Sequence, residues 1–200
     1  MPENRWSPEL FDALETKGYA VLEGFLPETL RRALYEEAVT FYENEAMRPA
    51  AIGTARQKRR IREIRGDYIR WLEGDTEAQR TLLALVASYK EALNRRFFLG
   101  LNNYEAHFAL YPEGDGYQKH WDNFRGRNHR IVTTVFYLNP DWDESLGGEL
   151  LVYDKKGEKI IDRVLPMPGT LVTFMTEEIP HEVRPAKRPR VSIAGWLRRD

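Results

Sequence analysis

Residues 130–141 read Arg130-Ile131-Val132-Thr133-Thr134-Val135-Phe136-Tyr137-Leu138-Asn139-Pro140-Asp141. β-Branched and aromatic side chains suit a pleated, buried surface, and Asn-Pro-Asp ends the run because proline cannot donate to a ladder. The stretch predicts a strand over Arg130–Leu138 followed by a turn. The same grammar repeats on both sides of it. Strands are expected near Glu105–Tyr111, Tyr117–Trp121, Glu149–Tyr153, Lys159–Val164, Thr170–Phe174, Glu182–Arg184 and Val191–Leu197. Pro112-Glu113-Gly114, Gly147-Gly148 and Pro168-Gly169 punctuate them as turns.

Upstream the period changes to helical. Ser7-Pro8 supplies a capping residue and an N1 proline, and Gly18 supplies the stop. Tyr19–Leu22 is a short apolar run with the look of a strand. Pro27 opens a longer helix with Leu30, Leu34, Ala38 and Phe41 at helical spacing. A third begins at Thr76 with Gln79 as a capping box, its apolar face formed by Leu82, Leu83, Val86, Tyr89 and Leu93. A block of helices followed by many short strands predicts a mainly β fold with supporting α: a β-sandwich or jelly roll with the N-terminal helices on one sheet. The 200 residues fit one domain, 1–200, with helical support mainly in 1–100 and the strand-rich core mainly in 101–200.

Composition narrows the function. Hydrophobic residues make up 42% and charged residues 30%, a globular mix. The net charge of −1 points to neither nucleic acid nor membrane as a partner. There is no cysteine, which excludes disulfides, thiolate zinc sites, iron–sulfur clusters and thiol nucleophiles. No run approaches the roughly 18 apolar residues of a membrane span, and Met1–Arg5 lacks the order of a signal peptide. A cytoplasmic monomer is expected.

Within this frame one constellation carries chemistry. His120 and Asp122 are two apart on a predicted strand, so both project to one face. His181, beside Pro180, starts another strand. Two histidines and one carboxylate with open coordination positions form the facial triad of non-haem Fe(II) oxygenases. Arg190, on the last strand, offers a planar fork suited to the distal carboxylate of 2-oxoglutarate. Tyr137 can add a phenolic donor to that carboxylate. His107 and His129 read as structural or surface histidines, and Arg198 and Arg199 as solvated. The segment from about Met47 to Arg65 carries Arg56, Lys58, Arg59, Arg60, Arg62 and Arg65 against Glu63 alone, with Ala50, Ala51, Gly53 and Ala55 between. Its bland reading is a solvated loop. Its functional reading is a mobile lid closing over a protein substrate.

At these residues the chain resembles the prolyl hydroxylase branch of the 2-oxoglutarate oxygenases, above all the catalytic domain of the hypoxia-inducible factor prolyl hydroxylases and their bacterial relatives. The likeness runs from about Gly18 to Trp196. It is carried by Ile64-Arg65-Gly66-Asp67, Trp71-Leu72-Glu73-Gly74, Tyr111-Pro112, Gly116–Asp122, Tyr137–Trp142, Gly147-Gly148 and His181–Ala186 leading to Arg190. The resemblance implies a double-stranded β-helix, with His120, Asp122 and His181 as catalytic iron ligands. It implies a 2-oxoglutarate site built from Arg190, Tyr137, Tyr111 and Tyr117. Arg65, Asp67, Arg130 and Trp196 match positions near the substrate and metal. Ala194 departs from the animal enzymes, which carry a hydroxyl there.

The implied reaction hydroxylates a protein prolyl residue while 2-oxoglutarate and O2 become succinate and CO2. Fe(II) is the cofactor and ascorbate an accessory reductant. The bacterial branch suggests elongation factor Tu as the partner, and the animal branch suggests oxygen sensing. A hydroxylase of a free amino acid on the same scaffold is the second enzyme reading. An idle metal-binding sensor or interaction domain is the reading from another class; 2-oxoglutarate turnover with and without a prolyl peptide separates them.

Overall fold

The computed structural model describes residues 6–50, 64–122 and 129–200. In chain order the elements are α1 (Pro8–Lys17), β1 (Tyr19–Leu22), α2 (Glu28–Glu43), β2 (Arg48–Pro49), β3 (Tyr68–Trp71), α3 (Glu77–Phe97), β4 (Asn103–Tyr111), β5 (Tyr117–His120), β6 (Arg130–Tyr137), β7 (Leu150–Tyr153), β8 (Ile160–Val164), β9 (Leu171–Met175), β10 (His181–Val183) and β11 (Arg190–Arg198), with a short 3-10 turn at Glu144–Leu146. The strands form two antiparallel sheets. The larger runs β1-β9-β6-β11-β4-β3-β2 and the smaller β5-β10-β7-β8.

The helices form where the sequence signals place them. Gly18, with a φ of 82°, ends α1 in a left-handed turn and donates its N–H to Leu14. Thr76 caps α3 by accepting from the Gln79 N–H, and the Gln79 amide oxygen accepts from Gly74 and Asp75 rather than from Thr76 itself. Glu37 of α2 accepts from both Thr76 and Gln79, so the cap also ties the two helices together.

Alternation along the large sheet creates two interiors. Ala106, Phe108 and Leu110 of β4, Val132 and Phe136 of β6, and Val191, Ile193 and Leu197 of β11 pack against Leu34, Leu82, Val86, Tyr89 and Leu93 of α2 and α3. The intervening residues Ala109, Tyr111, Val135, Tyr137, Val172 and Phe174 face Leu150, Val152, Val164 and Val183 of the small sheet. The site lies in this second interior.

All eight strands expected beyond residue 100 are present, within a residue or two. The division at residue 100 is less clean than expected, because β1, β2 and β3 from the first half join the large sheet. The sequence reading passed over β2 and β3. β2 is a two-residue edge strand holding a proline, tolerated only at such an edge.

The segment read as a loosely held lid is anchored at both ends. Met47 and Ala50 are buried. Arg48–Pro49 pairs with Tyr68–Ile69, and the Ala50 N–H bonds the Asp67 carbonyl. At the far end Gln118 donates to Ile64, and Gly66 donates to Gly116. These ladder bonds are what the compositional reading missed. Arg56, Lys58, Arg59, Arg60 and Arg62 lie outside the described residues.

Candidate active site

β5 and β10 are antiparallel neighbours with His120 and His181 as direct partners, so both imidazoles leave the small sheet at one point. β5 ends at His120. Asp122, two residues on, still turns its carboxylate between them. Its Oδ1 lies 3.5 Å from His120 Nε2 and 3.8 Å from His181 Nε2. The three ligand atoms fall within 4.8 Å of one another. A divalent cation fits this donor set.

Each donor is aimed by a partner on its other side. His120 Nδ1 contacts the Gln118 carbonyl at 2.8 Å, and His181 Nδ1 contacts the Ile179 carbonyl at 3.1 Å. A carbonyl only accepts, so both Nδ1 atoms carry the proton and both Nε2 lone pairs face the centre. Asp122 Oδ2 accepts from Trp196 Nε1 and from the Thr133 hydroxyl, each at 3.0 Å, which leaves Oδ1 for the centre. With its proton spent there, Thr133 accepts from Thr176, 3.1 Å away. The Tyr117 ring stacks on His120, centroids 3.5 Å apart. Trp121, between His120 and Asp122, lies over Gly157 in the β7–β8 turn, where a methyl would come within 3.1 Å of the indole. Lys119 donates to the Gly157 carbonyl at 2.8 Å.

Electrostatics agree with a cation site. Burial pushes the Asp122 carboxyl up, but His181, His120 and the Trp196 N–H outweigh it and hold it well below the usual range. Burial, with repulsion from His120, lowers His181 to about 4 against the pull of Asp122. The triad therefore holds an anionic carboxylate and a neutral imidazole at neutral pH.

The same cavity, about 130 Å³, reaches inward to Arg190. Arg190 begins β11 and is 1% exposed. Its Nε donates to the Gly148 carbonyl at 3.1 Å. Asn139 bonds the next N–H, that of Val191, and so fixes where the strand starts. Arg190 Nη2 and the Tyr137 hydroxyl are both buried, and neither has a hydrogen-bond partner among the described residues. Burial raises the Tyr137 phenol against the pull of Arg190, so it stays a neutral donor. Two buried donors, one of them on the cavity wall, cost on the order of 1–3 kcal/mol each while unsatisfied. A carboxylate matches both.

The remaining residues singled out in the sequence divide. Tyr111 and Tyr117 line the cavity, with Tyr111 5.4 Å under the Arg190 guanidinium. Arg65 and Asp67 form a bidentate pair at 2.7 and 3.0 Å, so the buried Asp67 holds Arg65 and is not free for another ligand. Arg130 lies 3.6 Å over the Trp196 ring. Trp196 itself orients Asp122. His107 is on the cavity wall, edge-on to Trp71 and tilted against Trp196, at the border with an outer groove of about 560 Å³. Burial and then Arg65 lower it to about 4. Arg198 is only partly exposed and reaches Glu105 at 2.8 Å. His129 is exposed, as expected. Thr133 escaped the sequence reading, although strand parity with Tyr137 places it on the cavity face. Glu105 left no such signal.

Residues 106–198 match the profile of the 2OG-Fe(II) oxygenase superfamily. The chain is 30% identical over 191 residues to prolyl hydroxylase EGLN3 of Mus musculus, covering 92% of this chain and 79% of that protein. It is also 30% identical to the hypoxia-inducible factor prolyl hydroxylase of Caenorhabditis elegans, covering 92% of this chain and 27% of that protein. A prolyl-4-hydroxylase from Pseudomonas putida superposes with a TM-score of 0.86 at 39% identity, over 96% of this chain and 98% of that one. A Trichoplax adhaerens prolyl hydroxylase, solved with a hypoxia inducible factor peptide, gives 0.85 at 29% identity over 95% of this chain and 87% of that one.

Proposed function

Since the chain belongs to the 2OG-Fe(II) oxygenase superfamily and is a close relative of its prolyl hydroxylases, we propose that it hydroxylates a prolyl residue of a protein, with His120, Asp122 and His181 holding Fe(II) and with Arg190 and Tyr137 receiving the distal carboxylate of 2-oxoglutarate. The two facing sheets are then the double-stranded β-helix of that family, and residues 1–200 act as one catalytic unit. The observation that carries the reading is the orphaned Arg190 Nη2 in the cavity that also holds the triad, with the Tyr137 ring 4.9 Å from its guanidinium and the Tyr137 hydroxyl orphaned too.

Iron with 2-oxoglutarate and O2 supplies the oxidising chemistry, releasing succinate and CO2. The protein supplies position. Arg190 and Tyr137 anchor the co-substrate by its far end, which turns its other end toward the triad. The Nδ1 bonds of both histidines and the two donors on Asp122 keep the ligand atoms converged between turnovers. Tyr111, Val135, Leu150 and Val183 line the walls and restrict water. Neither His120 nor His181 has to move a proton.

Wild-type protein with Fe(II), 2-oxoglutarate and ascorbate should add one oxygen atom to a prolyl peptide of elongation factor Tu, read by mass spectrometry. Addition to free proline but to no protein in a lysate would favour the small-molecule reading. No 2-oxoglutarate turnover with any of these would leave the sensor reading. The outer groove beside His107 supports a macromolecular substrate, since a free amino acid needs no such extension of the cavity.

A further inference from the structure

The indole N–H that holds Asp122 is itself held from behind. At the end of the large sheet a register shift between Leu197 and Arg198 brings Arg198 opposite Arg130. Two like charges directly opposed on neighbouring strands repel. Glu105, on the adjacent strand and opposite Trp196, answers both. Its Oε1 accepts from Arg130 Nε at 2.7 Å and its Oε2 accepts from Arg198 Nη1 at 2.8 Å. The side chains of Glu105, Arg130 and Arg198 are 26%, 21% and 25% exposed, so the charges are only partly screened. With Nε fixed by Glu105, the Arg130 guanidinium lies 3.6 Å above the Trp196 ring. The indole is thus clamped on its face by a cation and committed at its edge to Asp122 Oδ2.

We propose that Glu105 is a positioning residue for the metal-binding carboxylate, acting through Arg130 and Trp196. The inference rests on the triad reading above. Arg198 shares Glu105 but does not touch the indole, so it separates this role from general support of the sheet end.

Co(II) titration followed by its visible spectrum tests the proposal. Direct outer partners of a metal ligand are worth about 10- to 100-fold in affinity; one link further out, Glu105→Gln should weaken Co(II) about fivefold. It should also alter the d–d band shape as the carboxylate loosens. Arg198→Gln should cost thermal stability yet leave Co(II) affinity and band shape at wild type. If Glu105→Gln fails to fold, Arg130→Lys carries the test, because it keeps the ion pair but loses the planar stack; it too should weaken Co(II). Wild-type Co(II) affinity in the folded Glu105 or Arg130 variant overturns the proposal, as does an equal loss in Arg198→Gln. A wild-type protein that binds no Co(II) fails at the triad reading and takes this inference with it.

Discussion

The two ends of the active-site cavity are built on opposite rules. At the mouth, each triad side chain has its outward polar atom bonded: Gln118 and Ile179 carbonyls on the histidines, Trp196 and Thr133 on Asp122. At the floor, Arg190 Nη2 and, beside it, the Tyr137 hydroxyl are buried and have no partner among the described residues. The mouth is fully furnished before anything binds. The floor is left in deficit by the protein itself, and a carboxylate would remove it. The contrast teaches that affinity at one end comes from preorganisation and at the other from relief of an unsatisfied state.

The sharpest attempt to break this contrast removes a donor at the mouth. Asp122→Ala or His181→Ala should abolish 2-oxoglutarate turnover, measured as succinate release; near wild-type turnover in either would refute the triad. At the floor, Arg190→Ala should weaken 2-oxoglutarate by about 2–5 kcal/mol, the usual cost of losing one partner of a desolvated charge pair. Arg190→Met should share that loss yet raise the melting temperature of the ligand-free protein, since it removes an unpaired buried charge. A lower melting temperature would mean the guanidinium is satisfied without ligand. Tyr137→Phe should cost about 1–3 kcal/mol in 2-oxoglutarate binding, the range for a bond to a charged group, with no loss of ligand-free stability. Calorimetric titration beside a melting curve checks both halves. The smallest effect returns to the mouth: Trp196→Phe keeps the ring but deletes the N–H, and should weaken Co(II) about tenfold while leaving 2-oxoglutarate affinity to the loaded enzyme unchanged.

Much of this was open to reading because the chemistry repeats local patterns. The strand from Arg130 announces itself through β-branched residues and Asn-Pro-Asp, and its parity puts Thr133, Val135 and Tyr137 on one face. His120, Asp122, His181 and Arg190 stand at spacings that a strand reading can interpret. What escaped depends on distant register. Glu105 meets Arg130 and Arg198 only because three strands align around a bulge, and no local pattern encodes a bulge two strands away. His107 looked like a histidine without a task, since the strand that brings Trp71 beside it, Tyr68–Trp71, is four residues long and interrupted by Arg70. The composition of residues 47–65 hid the ladder bonds at its two ends, because backbone pairing leaves no mark in composition.

The turn carrying Gly157 looks like ordinary surface, with Lys155, Lys156 and Glu158 all exposed. Yet its one buried residue lies under Trp121, between His120 and Asp122, at a φ of +73° that favours glycine. Hairpin tips are where lineages usually gain and lose residues at no penalty. This one should not drift in length: its lysines are free to vary, but an insertion would withdraw the platform on which the ligand-bearing loop rests. The length of the β7–β8 tip should therefore answer to the proposed metal site on the far side of an indole ring.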